Sequence, residues 1–175
     1  MVINEMNFLK KDNNLALLAG APCVLGFAPF GIFPIPVLAL AVPVVLWSRV
    51  ASPRAAARLG FMFGLGLLTA GIGWIYNAMY DYGGMPLSLS LLAALLFAAF
   101  WALLPALAGF AHFCIAAPKV LRFTLVMPAV WVLLEWIRGW LVTGFPWLTL
   151  GYAHSDSPLA GYAPLLGVYG VSLAA

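Results

Sequence analysis

One stretch of this sequence carries ionisable groups inside an apolar run. It reads Trp131-Val-Leu-Leu-Glu135-Trp136-Ile-Arg138-Gly-Trp140 and is followed by Gly144-Phe145-Pro146-Trp147. On a helix, Glu135 and Arg138 stand at i and i+3 and share a face, with Trp131 one turn earlier on it, while Trp136 and Trp140 fall together on another. A charge facing lipid is costly, so the pair is expected to turn toward the protein interior or a wet cavity, where each ion compensates the other. Two readings stay open at this point: a structural ion pair that pins one helix near the membrane surface, or part of a functional site.

Other reactive residues are less suggestive. Cys23 and Cys114 lie in apolar runs without a Cys-x-x-Cys or Cys/His spacing and read as small core residues. His112 stands alone in an apolar run and reads as a packing residue; no metal site and no cofactor is expected. His154-Ser155-Asp156 contains the three letters of a hydrolase triad, but triad members meet in space and adjacent residues cannot adopt that geometry.

Hydrophobic residues make up 65% of the chain and charged residues 7%, against roughly a quarter charged in an ordinary soluble domain. A soluble core of this length cannot hide so much apolar surface, whereas a bilayer solvates it directly. The expectation is an all-α integral membrane protein, a polytopic bundle of about five transmembrane helices plus a partial sixth. The net charge of +3 comes from short basic clusters and argues topology, with no nucleic-acid partner.

The elements that position the pair follow in order. Residues 1–14 read as a cytoplasmic N-terminus, and the expected spans are 15–30, 35–47, 59–80, 87–117 and 123–142, with a partial span at 165–175. Gly60 and Gly64 form a small-xxx-small pair that lets a neighbouring helix approach closely, within the same chain. Trp74, Tyr76, Tyr80 and Tyr82 gather where amphipathic rings prefer the headgroup layer, and the long fourth span either tilts strongly or is kinked at Pro105. Residues 143–164, rich in turn formers and aromatics, are too apolar for a solvated loop and read as a periplasmic interfacial or re-entrant element. With the N-terminus cytoplasmic, Lys10, Lys11, Arg49, Arg54, Arg58, Lys119 and Arg122 all fall on the inner side, leaving Arg138 of the 8 Lys and Arg residues. Glu135, Arg138 and the Gly144 to Trp147 motif then sit together near the outer leaflet.

Several motifs in this order resemble one family. They are Phe27-Ala-Pro29-Phe-Gly31, Gly60-Phe-Met-Phe-Gly64-Leu-Gly66 leading to Gly73-Trp74-Ile-Tyr76, and the Trp131 to Gly139 run. Gly144-Phe-Pro-Trp147 with Gly151-Tyr152, Asp156-Ser-Pro-Leu159, and Ala163-Pro-Leu-Leu-Gly167-Val-Tyr-Gly170 complete the set. Together they are similar to the N-terminal membrane region of apolipoprotein N-acyltransferase, a bacterial inner-membrane enzyme of lipoprotein maturation, over nearly the whole chain.

The resemblance implies transfer of a fatty acyl chain from a phospholipid, through a cysteine thioester, to the α-amino group of a diacylglyceryl-cysteine at a lipoprotein N-terminus. In the family the catalytic glutamate, lysine and cysteine belong to a nitrilase-like periplasmic domain after the spans. None is carried over to Glu135, Cys23 or Cys114, so no catalytic residue is assigned and this chain alone is expected to be inactive, as a fragment or a shortened copy. The resemblance implies an anchor and an outer-leaflet crevice for lipid acyl chains, shaped by Glu135, Arg138, Phe145, Pro146 and Trp147, with Trp74 and Tyr76 behind them. Arg138 is a candidate for attracting a phospholipid phosphate, since a guanidinium presents a planar fork to such groups. The competing classes are a truncated non-catalytic membrane protein and a small transporter-like subunit; the absence of an inverted repeat speaks against the latter.

Overall fold

A computed structural model describes the backbone of residues 2–175 and the side chains of residues 10–175. Among the described residues six longer α-helices carry the fold: α1 (Val2–Gly20), α2 (Pro34–Trp47), α3 (Pro53–Ile72), α4 (Leu87–Cys114), α5 (Lys119–Arg138) and α6 (Ala163–Ala174). Among the described residues there is no strand. Three helices among the described residues, α3, α4 and α5, are long and apolar enough to cross a membrane, and α2 and Pro158–Ala174 are shorter apolar helices. The protein is an all-α membrane bundle.

Helix ends follow local chemistry. Lys10, Lys11, Asn13 and Asn14 do not interrupt α1, because no glycine or proline intervenes before Gly20 and Pro22, where the helix tightens into a short turn over Ala21–Gly26. The start of α3 is fixed by Ser52, whose hydroxyl accepts from the Ala55 amide at 3.2 Å, with Pro53 in the first turn. The helix therefore begins six residues ahead of the apolar run that opens at Leu59. In α5 a wide turn over Arg122–Val126 precedes Pro128, which has no N–H for the regular ladder.

Helix α3 is the centre of the bundle, and glycines set its contacts. A methyl group on Gly20 would overlap the Phe63 carbonyl, and one on Gly66 the Leu17 carbonyl, so α1 and α3 touch backbone to backbone. On the other side, a methyl on Gly60 would overlap the Pro105 carbonyl and one on Gly109 the Ala56 carbonyl. These two contacts run in opposite senses along the chain, so α3 and α4 are antiparallel. In a bilayer, where burying apolar surface gives little drive, this close approach supplies the packing and dispersion that hold helices together.

One end of the bundle is fastened by Trp47. Its indole donates to the Ala56 carbonyl at 2.9 Å and stacks on His112 with centroids 5.6 Å apart, and His112 in turn meets Phe123 at 5.1 Å. The end of α2, the start of α3, the end of α4 and the start of α5 are thus gathered, and with them Arg49, Arg54, Lys119 and Arg122. Two buried clusters fill the bundle, one around Leu46, Trp47, Leu59 and Phe63, the other around Leu68, Ile72, Trp101 and Ala102; Leu134 and Leu148 pack against both.

Candidate functional site

The last turn of α5 is tied to the segment after it through buried ionisable side chains. Glu135 is 5% exposed and Arg138 6%. The Oε1 of Glu135 accepts from the Trp131 indole at 3.1 Å and from the backbone amide of Leu150 at 2.9 Å. Arg138 donates through Nη2 to the Thr149 hydroxyl at 3.4 Å, and that hydroxyl donates to the Pro146 carbonyl at 2.8 Å. The Phe145 amide closes the turn on the Arg138 carbonyl at 2.7 Å.

The two ions share a face, as their spacing predicts, yet no hydrogen bond joins them. Glu135 Oε2 and Arg138 Nε are buried and make no hydrogen bond of good geometry, although the Ser172 hydroxyl of α6 lies beside the Glu135 carboxylate. Each side chain instead reaches forward to the loop, because Leu150 brings a buried N–H and Thr149 a buried hydroxyl that need partners of their own.

The loop they hold is strained. Val142 and Leu148 take positive φ, 65° and 60°, as does Gly144 at 81°. For a residue with a Cβ this region costs about 1–2 kcal/mol. Leu148 spends that strain to insert its side chain against Gly71 of α3, between both core clusters, and the contacts of Glu135 and Arg138 follow immediately at Leu150 and Thr149.

Aromatic rings fix the other flank. Phe145 stacks between Trp101 of α4 and Trp147, each at 5.6 Å, and takes the edge of Phe97 at 5.0 Å. Trp147 is half exposed, so the column runs from a buried indole to the surface. Glu135, Arg138, Phe145 and Pro146 are brought together, with Trp147 joined through Phe145. Trp74 and Tyr76 lie elsewhere: Trp74 is half exposed, and Tyr76 lines a separate cavity of about 220 Å³ with Thr69, Gly73, Leu91 and Ala94. Trp136 and Trp140 meet at 5.5 Å on the exposed face.

Residues 143–164 contain two short turns of helix, Leu150–His154 and Pro158–Tyr162. The Gly151 amide donates to Ser172 Oγ at 2.7 Å, which seats this element on α6. His154 pairs through Nδ1 with Ser157 at 3.1 Å, whereas Ser155 donates to the Tyr152 carbonyl, so the adjacent His-Ser-Asp letters form no relay. Burial holds the His154 ring below the ordinary imidazole range. Thr149, Leu150, Trp101 and Ser172 are site members that motif reading passes over. Thr149 is the one with a visible signal, a hydroxyl between two leucines directly after the Pro-Trp pair.

Among the described residues no group of three His, Cys, Asp or Glu side chains is placed to hold a metal. A groove of about 210 Å³ opens between α2, α5 and α6, lined by Val37, Leu40, Phe123, Met127, Trp131 and Leu173.

These features define a polytopic helical membrane protein in which a buried acid and base clamp a strained aromatic loop at one end of the bundle. The family model of the apolipoprotein N-acyltransferase N-terminal domain matches residues 19–175, and the chain belongs to that family. It is 47% identical over 163 residues to the apolipoprotein N-acyltransferase of Nitrosomonas europaea, covering 90% of this chain and 32% of the relative. The enzymes of the same name from Methylococcus capsulatus and Ralstonia nicotianae are 44% and 46% identical, each over 90% of this chain and 31% of their own length. The chain spans about a third of the length of the curated relatives it matches.

Proposed function

We propose that this chain is the membrane-embedded N-terminal part of an apolipoprotein N-acyltransferase, which moves a fatty acyl chain from a phospholipid to the α-amino group of a lipoprotein's N-terminal diacylglyceryl-cysteine. The observation that carries the reading is family membership over residues 19–175, joined to a loop clamped by Glu135 and Arg138 within the matched region. The acyl-transfer chemistry is supplied by a nitrilase-like domain of the whole enzyme. This chain's share of the work is anchoring and positioning in the bacterial inner membrane.

The basic end, with Arg49, Arg54, Lys119 and Arg122, faces the cytoplasm by the positive-inside rule. The Phe145 to Trp147 loop then meets the outer leaflet, where half-exposed tryptophans are at home. Phe145, Pro146 and Trp147 form the wall of the lipid crevice, and Glu135 and Arg138 hold that wall in place. Trp74 and Tyr76 flank a second approach between α3 and α4.

The test is a chimera: residues 19–175 replace the matching region of the Nitrosomonas europaea enzyme, and transfer from phosphatidylethanolamine to a diacylglyceryl peptide is measured. Transfer by the chimera is the expected result. A folded, membrane-inserted chimera without transfer refutes the reading.

A further inference from the structure

Glu135 and Arg138 each end in a buried atom that makes no hydrogen bond of good geometry, Oε2 on one and Nε on the other. With Leu104, Pro105, Ala108 and Trp131 they line one small cavity of about 20 Å³ between α4 and α5. A space of roughly 10–15 Å³ on this measure holds one water, so there is room for one and none for a phosphate group. Apart from this acid and base the named walls are apolar but for the Trp131 indole N–H, which is already committed to Glu135 Oε1.

The chemistry of the two unpartnered atoms is complementary. A carboxylate oxygen accepts only, and a guanidinium N–H donates only. The bonds already made fix where each side chain points: Oε1 is held by Trp131 and Leu150, and Nη2 by Thr149, leaving Oε2 and Nε free but not bonded to one another. Swinging either side chain toward the other breaks one of these bonds and releases the loop. A water between them accepts from the base and donates to the acid, at little loss relative to a direct bond, while every loop contact stays intact. Leaving both ions unmatched inside a bundle is the costly alternative.

We propose that this cavity binds one ordered water that accepts a hydrogen bond from the Arg138 guanidinium and donates one to the Glu135 carboxylate, so that the pair is water-separated. The water is structural and takes no part in the acyl-transfer chemistry. It accounts for a buried acid and base one turn apart that each reach for the loop and not for one another.

X-ray radiolytic labelling of the full-length protein in lipid nanodiscs tests it, because radicals form from bound water where bulk solvent does not reach. Leu104 and Pro105 are expected to take up label although both are buried, Leu104 at 9% exposed, whereas Phe63 and Leu68, at 0%, do not. Ala108→Leu fills the cavity, and the label at Leu104 and Pro105 is then lost while that on the exposed Tyr82 persists. Label at Leu104 and Pro105 no higher than at Phe63 overturns the proposal. Should Ala108→Leu not fold, a structure of the unsubstituted protein at a resolution that shows waters decides. A single peak within hydrogen-bond reach of both Oε2 and the guanidinium supports the site; direct contact between the two ions, or a phosphate group between them, sinks it.

Discussion

The backbone amide of Leu150 donates to Glu135 Oε1 at 2.9 Å across fifteen residues of sequence. This single bond joins the last turn of α5 to the start of the short helical turn that follows the aromatic loop. It sits one residue beyond Thr149, which takes Arg138, and two beyond Leu148, whose backbone is left-handed. The acid and base therefore restrain a segment that would relax without them.

Glu135→Ala removes the acceptor of two buried donors, the Trp131 indole and the Leu150 amide. Each orphaned donor costs about 1–3 kcal/mol, so a loss of about 2–5 kcal/mol in unfolding free energy is expected. Glu135→Gln keeps an acceptor oxygen and loses less than half of that. Thermal unfolding in detergent, read by tryptophan fluorescence, checks both; an alanine variant as stable as the parent would show that the clamp is idle.

Phe145→Ala empties the slot between Trp101 and Trp147. Loss of a partly buried ring and its two stacked partners is expected to cost about 2–4 kcal/mol. Phe145→Leu, which keeps the volume and loses the stacking, costs about 1 kcal/mol. Hydrogen exchange at the Phe145 and Gly144 amides, which bond back to α5 and the turn after it, separates opening of the loop from global unfolding.

Much of this arrangement is legible from residue types, and what is hidden has a common cause. Glu135 and Arg138 on one face, Trp136 and Trp140 on another, and the close approach at Gly60 and Gly64 all follow from helical periodicity and side-chain size. The capture of Leu150 is not legible, because the partner is a backbone N–H and any residue would supply it. Nor is Trp101: it lies inside a long apolar run, and its stack on Phe145 joins elements separated by a helix and two turns. Leu148 gives no warning of a positive φ, since leucine is a poor choice for that region and tertiary packing against Gly71 overrides it.

His154 gives the outer element a pH dependence. The residue is 3% exposed, its ring is tilted against Phe33 at 5.7 Å, and Nε2 has no partner, an arrangement that disfavours the charged form. Burial lowers its pKa in the folded state, and protons therefore bind the unfolded state more readily. The stability this contributes is complete above the ordinary histidine value of about 6.5 and is lost as pH falls below it toward the depressed folded value. Exchange of the Leu159 amide, which donates to Ser157 Oγ beside the ring, is expected to accelerate on acidification from neutrality. His154→Asn flattens that slope; an unchanged slope would assign the titration to another group.

The contact of α3 with α4 rests on Gly60 and Gly109, and it predicts a sharp positional asymmetry. A methyl group at Gly60 would meet the Pro105 carbonyl, and one at Gly109 the Ala56 carbonyl, and backbone cannot move aside as a flexible side chain can. Gly60→Ala therefore forces the helices apart along their whole antiparallel contact, at a cost of about 1–3 kcal/mol from overpacking. The helix-propensity gain of alanine, about 1 kcal/mol, works in the opposite direction and leaves a net loss of up to about 2 kcal/mol. At Gly161 a methyl group meets nothing within 4 Å, and Gly161→Ala is expected to stay within about 0.5 kcal/mol of the parent. Melting temperatures of the two variants in the same detergent decide the matter. Equal stability would mean that α3 and α4 tolerate separation, and that the positions of Trp101 and Phe145 are held by the loop alone.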